Sequence, residues 1–374
     1  MTRPKLILAL PFAITLGLLP IWALAISQGG WWIALIPLYA SPLMSVLDRI
    51  FGLSSFNLPP ETEDAALFWH RLLTWVWVPI QVVVIFGGLI AAFWFNHLGP
   101  WESFFLLAAT GMLSGGVGIV YAHELIHQKN RAERLLGDIL LGMVLYGHFR
   151  TEHVLVHHRH VGTPRDAVTA RYNENFWRFW VRAVVDSFKS AWRVEAARCA
   201  KRSRPIWHKS NPFWIYFGLA GGFLLLAALI GGWAGIGLFF VQAVVAVFHL
   251  EITDYVEHYG LTRKHLGEGR YEPIAPRHSW NANHTVTNYL LINLQRHSDH
   301  HYKPSRRYPL LQTYTETDAP QLPYGYPAMT FIAAFPIWWR RLMNPKVKQW
   351  RKMYYPEIVD WGPYKRGETE VRGE

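Results

Sequence analysis

Continuous apolar stretches constrain this chain more than any other feature. Four of them, over 6–27, 31–50, 75–95 and 101–121, reach the roughly 18–20 residues that a helix needs to cross a bilayer. A fifth, 212–250, is about twice that length and is interrupted by Gly231-Gly232. As one helix it would measure ~60 Å at ~1.5 Å per residue, so it reads as two spans joined by a tight turn. A chain with this much unbroken apolar surface is hard to keep dispersed in water. The expectation is an all-α integral membrane protein of six transmembrane helices, at about 6–27, 31–50, 70–95, 101–122, 212–231 and 233–252. No low-complexity linker or internal repeat divides it, so 1–374 reads as a single integrated domain.

Charge predicts the orientation. The short turns at 28–30, 96–100 and 231–233 hold no Lys or Arg. The 37 basic residues fall in the N-terminus, the loop near 49–71, the segment 122–211 and the tail after 251. Basic residues favour the cytoplasmic side, which places both termini there. The net charge of +11 also suits anionic lipid headgroups or an acidic partner protein. Arg3 and Lys5 ahead of an apolar run, with Ala23-Leu24-Ala25 behind it, resemble a secretory signal. The apolar core exceeds the usual ~7–15 residues of such signals, and cleavage would leave an odd topology, so the segment reads as a retained span. Residues 135–145 are apolar but too short to cross. Residues 165–211 interleave Trp177, Trp180 and Trp192 with Arg171, Arg178, Arg182 and Arg193. Beside a membrane this is an interfacial helix with snorkelling side chains rather than a nucleic-acid surface, and 326–343 reads the same way.

Three histidine clusters carry the chemistry: His123-Glu-Leu-Ile-His127, His153-Val-Leu-Val-His157-His158 and His297-Ser-Asp-His300-His301. Imidazole is a ligand for Fe, Zn, Cu and Ni. Eight clustered imidazoles exceed what one metal can hold, which implies two. On a helix, i and i+4 share a face, so His123 with His127, His153 with His157, and His297 with His301 are each expected to converge. The neighbours within His157-His158 and His300-His301 differ by about 100° and can serve different metals. The single cysteine, Cys199, excludes a disulfide framework and any cysteine-built zinc, iron–sulfur or rubredoxin site within the chain. The first cluster also fits HExxH, with Glu124 as general base of a zinc protease, but that site would leave the other clusters mostly unused. A non-catalytic metal transporter would hold its ligands at the bilayer midplane, whereas these lie at span ends.

Longer strings narrow the reading. Asp254-Tyr-Val-Glu-His258-Tyr-Gly-Leu261, His278-Ser-Trp-Asn-Ala-Asn-His284 and Asn293-Leu-Gln-Arg-His297-Ser-Asp-His-His301 resemble the alkane 1-monooxygenase family of membrane non-haem di-iron, histidine-box hydroxylases. Tyr146-Gly-His-Phe and Thr163-Pro-Arg-Asp166 extend the resemblance over roughly 69–350. The resemblance implies a ninth ligand, His258, and a cytoplasmic cap in which His123, His127, His153, His157, His158, His258, His297, His300 and His301 hold two Fe, with O2 as co-substrate. It implies terminal hydroxylation of alkanes entering from the bilayer. It also implies electrons from rubredoxin through an NAD(P)H-dependent rubredoxin reductase, and a bacterial inner-membrane location. A xylene-type side-chain hydroxylase, a fatty-acid or lipid hydroxylase and a desaturase share the boxes and are the nearest alternatives. Glu124, Asp254, Glu257, His278, His284 and Asp299 stand near the boxes as candidates to support the ligands. His249 is either a polar cavity residue or a packing histidine. Aligning Leu47-Asp48 with the family's Leu-Asp puts Ala40 where side-chain bulk would limit a substrate channel.

Overall fold

The structure is a computed structural model that describes residues 5–366. The chain ends, with Arg3, lie outside the described residues. Five helices are long and apolar enough to cross a membrane: α1 (Leu6–Gln28), α2 (Gly30–Phe51), α3 (Asp64–Trp94), α4 (Pro100–Ile126) and, later in the chain, the one over Phe213–His258. Between α4 and the last of these come α5 (Arg131–Met143), α6 (149–160) and α7 (Phe176–Ala200). The apolar Phe213–His258 helix is α8. It is followed by the short α9 (Thr285–Leu290) and α10 (His297–Tyr302), then α11 (Tyr326–Ala333) and α12 (Pro336–Tyr354). A two-stranded hairpin, β1 (His265–Gly267) with β2 (Arg270–Tyr271), lies in the loop after α8 and adds a little sheet to the expected all-helical fold.

The 46 residues of α8 are not one rod. Gly231 (φ −138°, ψ 19°) leaves the helical region and Gly232 takes φ 58°, a left-handed value that glycine adopts without strain. A Cβ on Gly235 would collide with the carbonyl oxygen of Ala227. Residues eight apart in a straight helix stand ~12 Å apart, so the chain doubles back here. The returning arm continues to His258, beyond the expected end at 252, because its apolar and aromatic residues go on packing: Ile252, Tyr255 and Val256 are buried. The amphipathic stretch 326–343 is likewise two helices, since Pro336 lacks an N–H and bars its predecessor from helical geometry.

The bundle has two chemically distinct ends. At one, Trp94 Nε1 donates to the Ile230 carbonyl at 3.1 Å, a ring nitrogen of His97 bonds the Ile26 carbonyl at 2.8 Å, and Gly30 N donates to Glu102 Oε1 at 2.8 Å. These bonds tie together the three turns that lack Lys and Arg. At the other end α4 and α8 deliver His123 and His258, and the segments after them form the cap. Asp48, near the end of α2, accepts from Val286 N at 2.8 Å and Thr287 N at 2.9 Å, the opening amides of α9. Arg307 clasps Asp64 through two bonds of 2.7 and 2.9 Å and reaches Glu133 at 3.0 Å. On α7, Trp177, Val181, Val185 and Phe188 form an exposed apolar stripe at helical spacing, as an interfacial helix requires.

Candidate metal centre

Four segments converge on the cap. The last turn of α4 presents His123 and ends at His127; α6 presents His153, His157 and His158; α8 ends on His258; α10 presents His297, His300 and His301. All but His127 are buried. Their nitrogens form two groups. His123, His127, His153, His158 and His300 surround one point, and His157, His258, His297 and His301 another; within each group the donor atoms lie within 4.8 Å of one another.

Each adjacent pair is divided between the groups, with His158 and His300 in the first and His157 and His301 in the second. One expected pairing does not occur: His153 joins His158 rather than His157. The cause is local backbone. His153–His157 form a π-helical turn, whose i→i+5 bonding brings residues five apart onto one face. His153 Nε2 accordingly lies 3.0 Å from His158 Nε2.

The donor set fits two cations. His158 Nε2 lies 3.0 Å from the Nε2 atoms of both His153 and His300, while His301 Nε2 lies 2.9 Å from that of His297 and 3.2 Å from that of His157. A neutral imidazole has one N–H, so these clusters of Nε2 atoms cannot all be satisfied by hydrogen bonds to each other. His123 Nε2 and His127 Nε2 are buried with no protein partner. Burial, then the neighbouring imidazoles, holds His153, His158, His297, His300 and His301 well below the usual histidine range, and His127 is pushed down to about 3. Unprotonated rings with unpaired lone pairs facing a common point are what a metal requires. Five nitrogens around one point exceed the four of a structural zinc site, and imidazole suits iron. The histidine groups therefore fit a non-haem di-iron centre.

Carboxylates complete the surroundings. Asp166 Oδ2 lies 2.9 Å from His157 Nδ1 and accepts from Thr169 Oγ1 at 2.6 Å. Nδ1 is thereby the protonated nitrogen and Nε2 is left as the metal-facing lone pair. Burial alone would raise the Asp166 carboxyl, but His157 and Thr169 hold it below its usual range. Sequence reasoning did not assign Asp166 to the site; its one signal was its place in Thr163-Pro-Arg-Asp166. Glu257 Oε2 lies 3.2 Å from His297 Nε2, and Asp254 and Glu257 share a possible ligand group with His258.

The other four candidate supports contact different partners. Glu124 accepts from Gln128 Nε2 at 2.9 Å and Tyr308 N at 3.1 Å. Asp299 accepts from Tyr314 OH at 2.7 Å, Gln312 N at 3.0 Å and Arg306. His278 bonds Tyr355 OH at 2.8 Å and Glu272 at 3.2 Å. His284 precedes α9 and pairs by a backbone bridge with Leu53. None of these four side chains hydrogen-bonds a boxed imidazole among the described residues.

A cavity of about 440 Å³ opens onto the centre. Leu18, Ile36, Ala40, Met112, Leu290 and Phe331 line its apolar walls, and His123, His153, His297, Asp254 and Glu257 line it as well. Ala40 sits in a π-helical turn (Tyr39–Leu43) that accommodates Pro42.

Residues 99–333 match the fatty acid desaturase family model. The chain is 39% identical to alkane 1-monooxygenase 2 of Pseudomonas aeruginosa over 337 residues, covering 87% of each protein. It is 42% identical to alkane 1-monooxygenase 1 of the same organism over 318 residues, 81% of this chain and 80% of that one. Against alkane 1-monooxygenase 1 of Alcanivorax borkumensis the identity is 36% over 334 residues, 87% of this chain and 80% of the relative.

Proposed function

With such similarity over most of its length the chain belongs to the alkane 1-monooxygenase family, and we propose that it inserts one atom of O2 into a terminal C–H bond of an alkane to give the primary alcohol. The observation that carries this reading is the apolar cavity whose wall includes His123, His153 and His297. An unactivated methyl group offers no acid–base handle, and the bound irons supply the oxygen activation that side chains cannot. The chain's own residues do the rest. His123, His127, His153, His158 and His300 hold one iron, and His157, His258, His297 and His301 the other. Asp166 fixes the tautomer of His157. The cavity walls exclude water and hold the chain end beside the centre.

The six-span topology follows from counting the two arms of α8 separately. Both termini and the cap then face the cytoplasm of a bacterial inner membrane, as the basic-free turns at the opposite end favour. A lone cysteine cannot build an iron–sulfur centre. Electrons therefore come from a separate carrier, which we assign to rubredoxin reduced by an NAD(P)H-dependent reductase. Its docking on a basic face should weaken with salt.

The test is reconstitution. Protein purified without chelator should contain about two iron atoms per chain. With rubredoxin, its reductase and NADH it should convert an n-alkane to the 1-alkanol carrying oxygen from labelled O2. An alkene product, or stoichiometric zinc in an active preparation, overturns the reading. Turnover with NADH alone overturns the separate carrier.

A further inference from the structure

One wall of the cavity is polar in a way that a hydrocarbon does not need. His249, Thr253 and Glu257 stand four residues apart on α8, share one face, and all line the cavity. Thr253 is engaged within its own helix, its Oγ1 donating to the His249 carbonyl at 2.8 Å. His249 Nδ1 lies 2.8 Å from the carbonyl oxygen of Val245. A carbonyl can only accept, so Nδ1 carries the proton, and Nε2 of the neutral ring is a bare acceptor. No partner for Nε2 occurs among the described residues, and His249 itself borders the cavity. The ring's backbone position is fixed from behind: a Cβ on Gly115 would fall 2.8 Å from His249 Cβ. An acceptor facing an apolar space carries a desolvation cost until a donor meets it. An alkane has no donor; a hydroxyl group has one.

We infer that His249 recognises a hydroxyl on the substrate, so that this chain takes primary alkanols as a second substrate class and converts them to α,ω-diols. The inference rests on the alkane-hydroxylase reading. The hydroxyl donates to His249 Nε2 while the methyl end lies beside the histidine centre. The stoichiometry is that of the first reaction: one oxygen atom of O2 enters the broken terminal C–H bond. The other leaves as water, formed with two electrons from the one-electron carrier and two protons. His249 precedes His258 by nine residues. That is ~13 Å along the helix, a span bridged by a chain on the order of ten carbons.

The experiment is a competition between n-nonane and 1-decanol in one reconstituted reaction, so that iron loading and folding cancel in the product ratio. Wild type should form decanediol as well as nonanol. His249→Leu should lower the diol-to-nonanol ratio about tenfold, the loss of one hydrogen bond in an apolar site. Diol yield against alkanol length should peak near ten carbons in wild type and lose that peak in the variant. A binding measurement without turnover accompanies it: with no electron donor present, 1-decanol should raise the melting temperature of the iron-loaded wild type more than n-nonane does, and His249→Leu should abolish the difference. Nonanol without diol from wild type, or an unchanged ratio in the variant, overturns the inference and leaves alkane hydroxylation standing. No product from either substrate overturns both.

Discussion

Asp166 decides which nitrogen of His157 is free to bind. With its carboxylate 2.9 Å from Nδ1, only Nε2 can point at the centre. Partners of this kind typically govern 10–100-fold in metal affinity. Asp166→Ala is therefore expected to release one of the two irons at about ten- to a hundredfold lower chelator than wild type needs, read as iron per chain across a chelator series. Unchanged release would mean that Asp166 serves folding alone. The nine clustered histidines were legible because eight of them repeat at short spacings and the ninth lies in the Glu257-His258-Tyr-Gly string. Asp166 was not, because a loop rather than a helical period carries it back to His157. Ala40 borders the cavity. A ring forced into a packed apolar space costs about 1–3 kcal/mol, which is roughly tenfold to more than a hundredfold in preference. Ala40→Trp should shift alcohol formation toward the shorter of two competing alkanes. An unchanged ratio, with normal iron content, would place residue 40 outside the path of the substrate.

The length of the apolar runs pointed to the five long apolar helices, since runs of this length admit few alternatives. It could not locate the π-helical turns at 39–43, 114–119 and 153–157, which leave no compositional mark. The third of these overturned the expected His153–His157 pair. Contacts between elements were equally hidden. The glycines of α4 look like ordinary membrane residues in the sequence, yet α8 lies directly against them. A Cβ on Gly111 would stand 2.5 Å from the Gln242 carbonyl oxygen and 2.7 Å from Val245 Cβ. Backbone cannot yield as a flexible side chain can, and overpacking of this kind costs about 1–3 kcal/mol. Gly111→Ala should therefore lower the melting temperature in detergent. Gly218→Ala, where nothing lies within 4 Å, should leave it level or raise it, because alanine favours helix. Equal effects at the two sites would contradict the close approach of α4 and α8.

Across the whole molecule, the segregation of charge anticipated a bundle with two unlike ends, and the bonds among the basic-free turns join those turns at one of them. The cap was less legible. Its loops follow no period, and they are held by contacts distant in sequence, such as Arg307 with Asp64 and Asp48 with the start of α9. At its centre nine imidazoles from four segments crowd their lone pairs together, an arrangement that bound cations would stabilise by accepting those lone pairs. The spans carry no such demand, since their apolar faces pack or meet lipid whatever the cap holds. Iron removal should therefore act unevenly. Chelation should lower the melting temperature by something on the order of ten degrees, the equivalent of a few kcal/mol for a protein of this size. Trypsin should then cut first within 259–325, at sites such as Arg306, while the fragments holding α1–α4 persist. Restoring ferrous iron should restore protection. Identical melting and cleavage with and without metal would show that the cap is held by its protein contacts alone, and that the nine histidines do not close around a shared pair of ions.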